Sequence, residues 1–265
     1  MHQQWALATP AYDDPAETFH VASKLSLWTS GSATGTYSTE LSTDPEALRM
    51  LGRPHPPYLS SERRALDAAG PASPVAAALR HRHSAAGFAP APVSFGILSG
   101  ILRETACITA EHGRGAPSAG GLCPIDIYLA VTAVDGITPG IYALDPHEAV
   151  LHRLPVPVDP REFLRDCLVF QNLAEDSAFH VFFVGSFLRQ RIKYGQRAYR
   201  FTLLEAGHLA QAMMLCAEEA GIGSCAVGGF LDQKVDELLC LDGVEQSVIY
   251  SVAFGQVIEE SGGLA

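Results

Sequence analysis

An α+β fold is the expectation for this chain, and three stretches carry it. Phe179 to Val184 is apolar on both faces, as a central strand would be. Ile127 to Val134 is rich in strand formers. Arg200 to Ala220 is apolar almost all round, which suits a helix buried in a core or a subunit interface. Strands and helices are mixed along the chain, which gives the α+β class.

Residues 1–74 are polar and proline-rich, notably Gly52-Arg53-Pro54-His55-Pro56-Pro57. They read as an extension with little regular structure, laid over a main domain at 75–260. Val75 to Arg80 reads as a helix. Ser94 can cap a second, Phe95 to Glu104. After the strand at Ile127 comes a hairpin: Gly140 to Leu144, a turn at Asp145-Pro146-His147-Glu148, then Ala149 to Leu154. Asp159-Pro160 pairs a cap with proline at the first helical position, opening a helix to Phe170. In the long helix the polar exceptions Glu205, His208 and Gln211 recur every three residues and share a narrow stripe. Gly221 and Gly223 end it. Asp232 caps a short helix to Leu239, and Val248 to Phe254 is a last strand.

Composition narrows the function. A net charge of −11 opposes a nucleic-acid scaffold, which needs a basic stripe to neutralise phosphates. Hydrophobic residues make up 48% and charged residues 18%, more apolar material than a small monomer needs, so an oligomer is expected. The six cysteines form no C-x-x-C pair and read as core thiols in a reduced, cytoplasmic setting. No signal peptide and no membrane span is visible. His81 and His83 lack the carboxylate or cysteine that would complete a metal set. Gly221-Ile222-Gly223 with Gly228-Gly229 looks like a dinucleotide fingerprint, but a helix precedes it and a strand follows, the reverse of what that site needs.

Three short segments combine into something more specific: Arg82-His83-Ser84-Ala85-Ala86-Gly87-Phe88, Pro117-Ser118-Ala119-Gly120-Gly121, and Ala226-Val227-Gly228-Gly229-Phe230. Their order and spacing resemble the nitroreductase superfamily of flavoproteins. The resemblance implies a central mixed sheet flanked by helices, a homodimer, and FMN as cofactor. It implies Arg82, His83 and Ser84 as the grip on the FMN phosphate and ribityl edge, where an arginine fork suits phosphate. It implies Pro117, Ser118, Ala119 and Gly120 as the segment reaching the flavin from the partner subunit. Val227, Gly228 and Gly229 would line its reactive edge, glycine allowing close backbone approach.

Within that superfamily the chain resembles the SagB-type thiazole/oxazole-forming branch. The carrying residues are Phe19-His20-Val21-Ala22-Ser23-Lys24-Leu25, the Pro-Ser-Ala-Gly-Gly segment, and Lys193-Tyr194-Gly195-Gln196-Arg197-Ala198-Tyr199-Arg200-Phe201 running into Leu204 to Gln211. In azoline oxidases an adjacent Lys-Tyr pair is the catalytic signature, and Lys193-Tyr194 stands at that place. A lysine in an apolar pocket loses its proton more readily, so the pair could share the work of a base and its electrostatic partner. The resemblance implies an azoline-bearing peptide or carrier-bound substrate, dioxygen as final oxidant, and association with a cyclodehydratase or synthetase complex. The chain departs from the family pattern at Ala86, Cys123 and Ala212, and in having no basic residue after Gly255. Two alternatives remain open: an NAD(P)H-dependent nitro- or quinone reductase, and a flavin-free structural subunit of a peptide-modifying complex.

Overall fold

The computed structural model describes residues 14–26, 44, 46, 64–67, 70, 73–109 and 113–258. The helices are α1 (Pro15–Ser23), α2 (Pro74–His81), α3 (Phe95–Thr105), α4 (Pro160–Cys167), α5 (Gln171–Asp176), α6 (Phe187–Tyr194), α7 (Ala198–Glu219) and α8 (Asp232–Leu238). The strands are β1 (Val93–Ser94), β2 (Ile108–Thr109), β3 (Gly113–Arg114), β4 (Ile125–Val131), β5 (Val134–Asp135), β6 (Gly140–Asp145), β7 (Val150–Arg153), β8 (Phe179–Ser186), β9 (Gly223–Val227) and β10 (Gln246–Gly255). The main sheet runs β7-β6-β4-β8-β10-β9. Its neighbours pair antiparallel throughout. The parallel part of the expected mixed arrangement is a separate pair, β1 with β5.

Strand β8 is the centre of the molecule because both its faces are apolar. Phe179, Val181 and Phe183 join Leu98, Leu102, Leu209 and Met213 in a core under α3 and α7. Phe182 and Val184 join Phe163, Leu164, Leu173 and Val235 in a second core under α4, α5 and α8. The period of two thus sorts one strand's side chains into two cores. Each fully buried phenylalanine of this strand contributes about 1.5–3 kcal/mol relative to exposure.

Several boundaries move from their expected places, each for a local reason. The strand expected over Ile127 to Val134 ends at Val131. There the Thr132 hydroxyl turns to the carbonyl of Ala178, at 2.8 Å, and to that of Ser177. The helix opened by Asp159, whose carboxylate accepts from the amides of Arg161 and Glu162 at 2.8 and 3.0 Å, ends at Cys167. A second helix, α5, fills the gap before β8. Asp232 is the first residue of α8 rather than its cap. Its carboxylate accepts from the Leu25 amide at 2.8 Å, and burial pushes its pKa up to about 6. The cysteines are free, but only Cys107 and Cys167 are buried, and Cys240 is exposed. Among the described residues no helix is long and apolar enough to cross a membrane.

Within the N-terminal extension Pro15–Ser23 forms a helix, which the reading of residues 1–74 missed. Asp14-Pro15 is the signal that would have found it, the same cap-and-proline pair as Asp159-Pro160. Arg191 of α6 binds Asp14, Glu17 at 2.7 Å and Glu245 at 2.8 Å. Lys24 lies 2.7 Å from Asp236 and donates to the Gly243 carbonyl at 2.6 Å. The segment Asp14–Ser26 is therefore pinned to α6 and α8.

His180 is fully buried on β8, with Nε2 3.2 Å from the Leu173 carbonyl and no partner for Nδ1. Burial lowers its pKa to about 4 from 6.5. A depressed folded value means that its contribution is present above about pH 6.5 and lost as pH falls through about 4. His20, also lowered to about 4 by burial and by Lys24, adds in the same direction, whereas Asp232 opposes it. His180→Phe isolates the first of these. The variant is expected to lose about 3 kcal/mol less stability than the wild type between pH 6.5 and 4, read by urea denaturation across that range.

Candidate active site

The predicted site residues fall into two groups. The first gathers at the β9 edge. Helix α2, capped by Ser73, stops at His81, and the chain runs on through Arg82, His83 and Ser84. It is tied to β9 by the Ala85 amide, 2.9 Å from the Ser224 carbonyl. Three residues beyond Ser224 the strand ends at Val227 and gives way to Gly228 and Gly229. The segment after α4 holds both ends together: the Val169 amide donates to Gly229 at 2.9 Å, and Asn172 donates its side-chain amide to the carbonyl of Ala86. A Cβ on Gly229 would stand 3.0 Å from the exposed Phe170 ring, which would have to shift by a few tenths of an ångström to admit it. Gly228 is exposed and faces open space. Arg82 has no ion-pair partner among the described residues.

The second group forms where β8 ends and β4 begins. A single turn of 3-10 helix, Ala119–Gly121, follows Pro117 and Ser118. The Ser118 hydroxyl is engaged inside this loop, accepting from the Cys123 amide at 2.9 Å. Gly120 has φ +67°, and a Cβ there would lie 2.6 Å from Tyr194 Oη and 2.9 Å from Lys193 Nζ. Residues more than seventy positions apart in sequence thus meet: the glycine of the loop lies under both polar ends of the Lys-Tyr pair. Lys193 Nζ stands 5.4 Å from the centre of the Tyr194 ring, and that ring packs edge-on to Phe201 at 5.1 Å. Tyr194 is half-buried. Lys193 is exposed, so the apolar pocket expected around it is not supplied by this chain alone; the end of α6 faces outward. Gly120→Ala is expected to cost about 1–2 kcal/mol for a left-handed alanine and to displace both side chains. Urea denaturation reads the first effect and altered Tyr194 fluorescence the second.

What lies beneath the loop was not foreseen beyond Glu205's place among the polar exceptions of the long helix. Glu205 is 2% exposed, whereas His208 on the same stripe faces outward. Gln190 Nε2 reaches Glu205 Oε2 at 3.3 Å and the Ala119 carbonyl at 3.5 Å, and Thr202 donates to Gln190 Oε1 at 3.2 Å. Arg114, also buried, brings Nη1 to 3.8 Å from Glu205 Oε1. Burial raises the Glu205 pKa against the lowering pull of Ser118, Arg114, the Ala119 amide and Gln190. Outside the loop, a cleft of about 820 Å³ opens between Pro117–Cys123 and the β6–β7 hairpin, with Arg189 and Asp126 joined by two bonds of 2.7 and 2.8 Å on its wall.

No hydrogen bond or ion pair joins the two groups among the described residues. Ser224 pairs through Phe254 to Phe179, whereas Ile125, at the foot of the loop, pairs with Gly185. Six residues of β8 separate the Ser224 and Ile125 levels, about 20 Å, whereas Val227 pairs through Ser251 to Phe182, three residues or about 10 Å from the Ile125 level, with three strand spacings, about 14 Å, between β9 and β4 sideways.

Comparison with known proteins fits this architecture. The model of the nitroreductase family matches residues 79–256. A Methanocaldococcus jannaschii protein named as a nitroreductase, MJ1384, is 29% identical over 168 residues, which are 60% of this chain and 80% of that protein. A solved Anabaena variabilis protein named as a nitroreductase shares 26% identity at TM-score 0.61 over 69% of this chain, which spans 38% of that longer chain. A structure of the E. coli microcin synthetase complex McbBCD, with truncated pro-MccB17 bound, matches at TM-score 0.72 and 19% identity, covering 94% of this chain and 96% of its own. A Desulfovibrio desulfuricans protein named as a nitroreductase and solved with FMN matches at TM-score 0.50 and 18% identity, over 74% of this chain and 92% of its own. The last two likenesses are of fold alone.

Proposed function

This chain belongs to the nitroreductase family, and from that premise we propose that it is an FMN-dependent oxidase that dehydrogenates a thiazoline or oxazoline ring, carried on a peptide or carrier protein, to the aromatic azole. The observation that carries the reading is the meeting of Gly120 with Lys193 Nζ and Tyr194 Oη. It places an amine and a phenol beside a loop whose sequence resembles a flavin-contacting segment.

The β9 edge fits FMN in its donor set. Arg82 offers a guanidinium with no described counter-ion, Ser84 a hydroxyl, and Gly228 a backbone open to close approach. With His83, Val227 and Gly229 these residues would hold the cofactor. When bound, FMN supplies the hydride acceptor. The second group, Pro117 to Gly120 with Lys193 and Tyr194, is joined to the first by no hydrogen bond or ion pair among the described residues, and in this reading a second copy provides it and the working unit is a homodimer. Exposure of Lys193 on the single chain agrees, since the partner copy would complete its enclosure.

Aromatising an azoline removes a proton from the ring carbon next to the carbonyl, and the chain must take up that proton. Lys193 and Tyr194 are placed for it, one as base and the other stabilising the negative charge that develops. Lys193 and Tyr194 are the last two residues of α6. The full-length fold likeness to a chain of a microcin synthetase complex supports a peptide-modifying setting. A visible spectrum of the purified protein, followed by turnover of a model azoline peptide in air, tests the reading. A flavin spectrum and oxygen-dependent azole formation are expected. A colourless protein that takes up no FMN would overturn it, and rapid bleaching by NAD(P)H with no azole formed would favour a nitro- or quinone reductase.

A further inference from the structure

Beneath the Pro117–Gly121 loop, three elements share one buried polar node. Gln190 is fully buried on α6, one helical turn before Lys193. Glu205 is buried on α7. Gln190 ties the node to the loop: its Nε2 stands 3.5 Å from the Ala119 carbonyl. The Gln190 and Glu205 side chains meet at 3.3 Å, and Thr202 closes the far side by donating to Gln190 Oε1 at 3.2 Å. Hydrophobic packing would hold a loop over two helices at lower cost than a buried carboxylate, which is expensive to desolvate. What the polar node adds is direction: each bond fixes the loop against α6 at the residue preceding Gly120.

We propose that Gln190 and Glu205 are positioning residues that set the register of the Ala119–Gly120 loop against Lys193 and Tyr194. The proposal rests on the oxidase reading for its catalytic consequence but not for its structural one. Neither residue touches substrate; both act through the loop and the helix. A displacement of the Lys-Tyr pair by about an ångström would lower turnover by roughly tenfold to a hundredfold without weakening substrate binding equally.

The test uses full-length Gln190→Met, which keeps volume but removes donor and acceptor, and Glu205→Gln, which keeps shape but removes the charge. The chain has three lysines, Lys24, Lys193 and Lys234, so amine acetylation resolved by mass spectrometry carries internal controls. Both variants are expected to keep the wild-type flavin content and a cooperative thermal transition. Lys193 acetylation should change at least about threefold relative to Lys234, and kcat on the model azoline should fall by roughly tenfold or more with KM within about twofold. Unchanged Lys193 reactivity in both folded variants overturns the proposal, whatever happens to turnover. Altered reactivity in a protein whose wild type oxidises no azoline would leave the positioning role standing and remove the oxidase reading. Should one variant fail to fold, the other decides by the same two readouts.

Discussion

Lys193→Ala is expected to keep FMN and to lose turnover of an azoline peptide by about 10²- to 10⁴-fold, the range a positioned acid or base supplies. Tyr194→Phe should behave alike, since it removes only the phenolic oxygen from above Gly120. Retention of cofactor is expected because the proposed holders Arg82, Ser84 and Gly228 share no hydrogen bond or ion pair with Lys193 or Tyr194 among the described residues. Stability should change little, because Lys193 is exposed and pairs with no described carboxylate. The loss should appear in kcat rather than KM, as for an interaction made in the transition state. Flavin absorbance and steady-state rates on the same preparations check all three statements. If both variants turn over the azoline as the wild type does, the pair is not catalytic and the Gly120 contact is only packing. The two substitutions also divide the roles: the residue whose removal flattens the acidic limb of the pH–rate profile is the base.

Much of this fold was legible because its strands are strongly patterned. Phe179 to Val184 alternates between two apolar cores, and a strand apolar on both faces has to be central. Caps were readable wherever a side chain bonds a nearby amide, as Ser94 does to Ile97 at 3.3 Å. Legibility failed where long-range bonds decide. Asp232 looks like a cap, but its carboxylate is drawn to Leu25, more than two hundred residues away in sequence. Thr132 ends β4 early through carbonyls contributed from just before β8. The residues of the candidate site were found by likeness, not by periodicity. Which of them come together, Gly120 with Lys193 and Tyr194, and Ala85 with Ser224, depends on sheet register, which a one-dimensional pattern does not carry. Gln190 and Glu205 were hidden for another reason: a glutamine or glutamate on a helix is usually solvated, and only the closed partner set makes it a buried node.

The largest stability effect should come from Arg114. Its side chain is 2% exposed and does three things at once. It donates to the carbonyls of Ala106 at 2.9 Å and Ile125 at 3.0 Å, and it is the cation nearest Glu205, at 3.8 Å. Arg114→Met keeps the aliphatic volume but strands two buried carbonyls and one buried carboxylate, and removing one partner of a buried ion pair costs about 3–5 kcal/mol. The cost should depend on pH in a defined direction. Burial already raises the Glu205 pKa in the wild type, and loss of Arg114 removes a group that lowers it, so the pKa must rise further. A carboxyl whose folded value exceeds its unfolded one contributes its stability below the unfolded value and withdraws it as pH rises through the folded value. The variant should therefore lie closer to the wild type near about pH 5 than near about pH 8, as read by urea denaturation at both. Adding Glu205→Gln to Arg114→Met removes the stranded charge and should recover about 1–2 kcal/mol near pH 8 and almost nothing near pH 5. A penalty independent of pH, or no recovery in the double variant, would mean that Arg114 acts through the two carbonyls alone and that burial already keeps Glu205 neutral in the wild type.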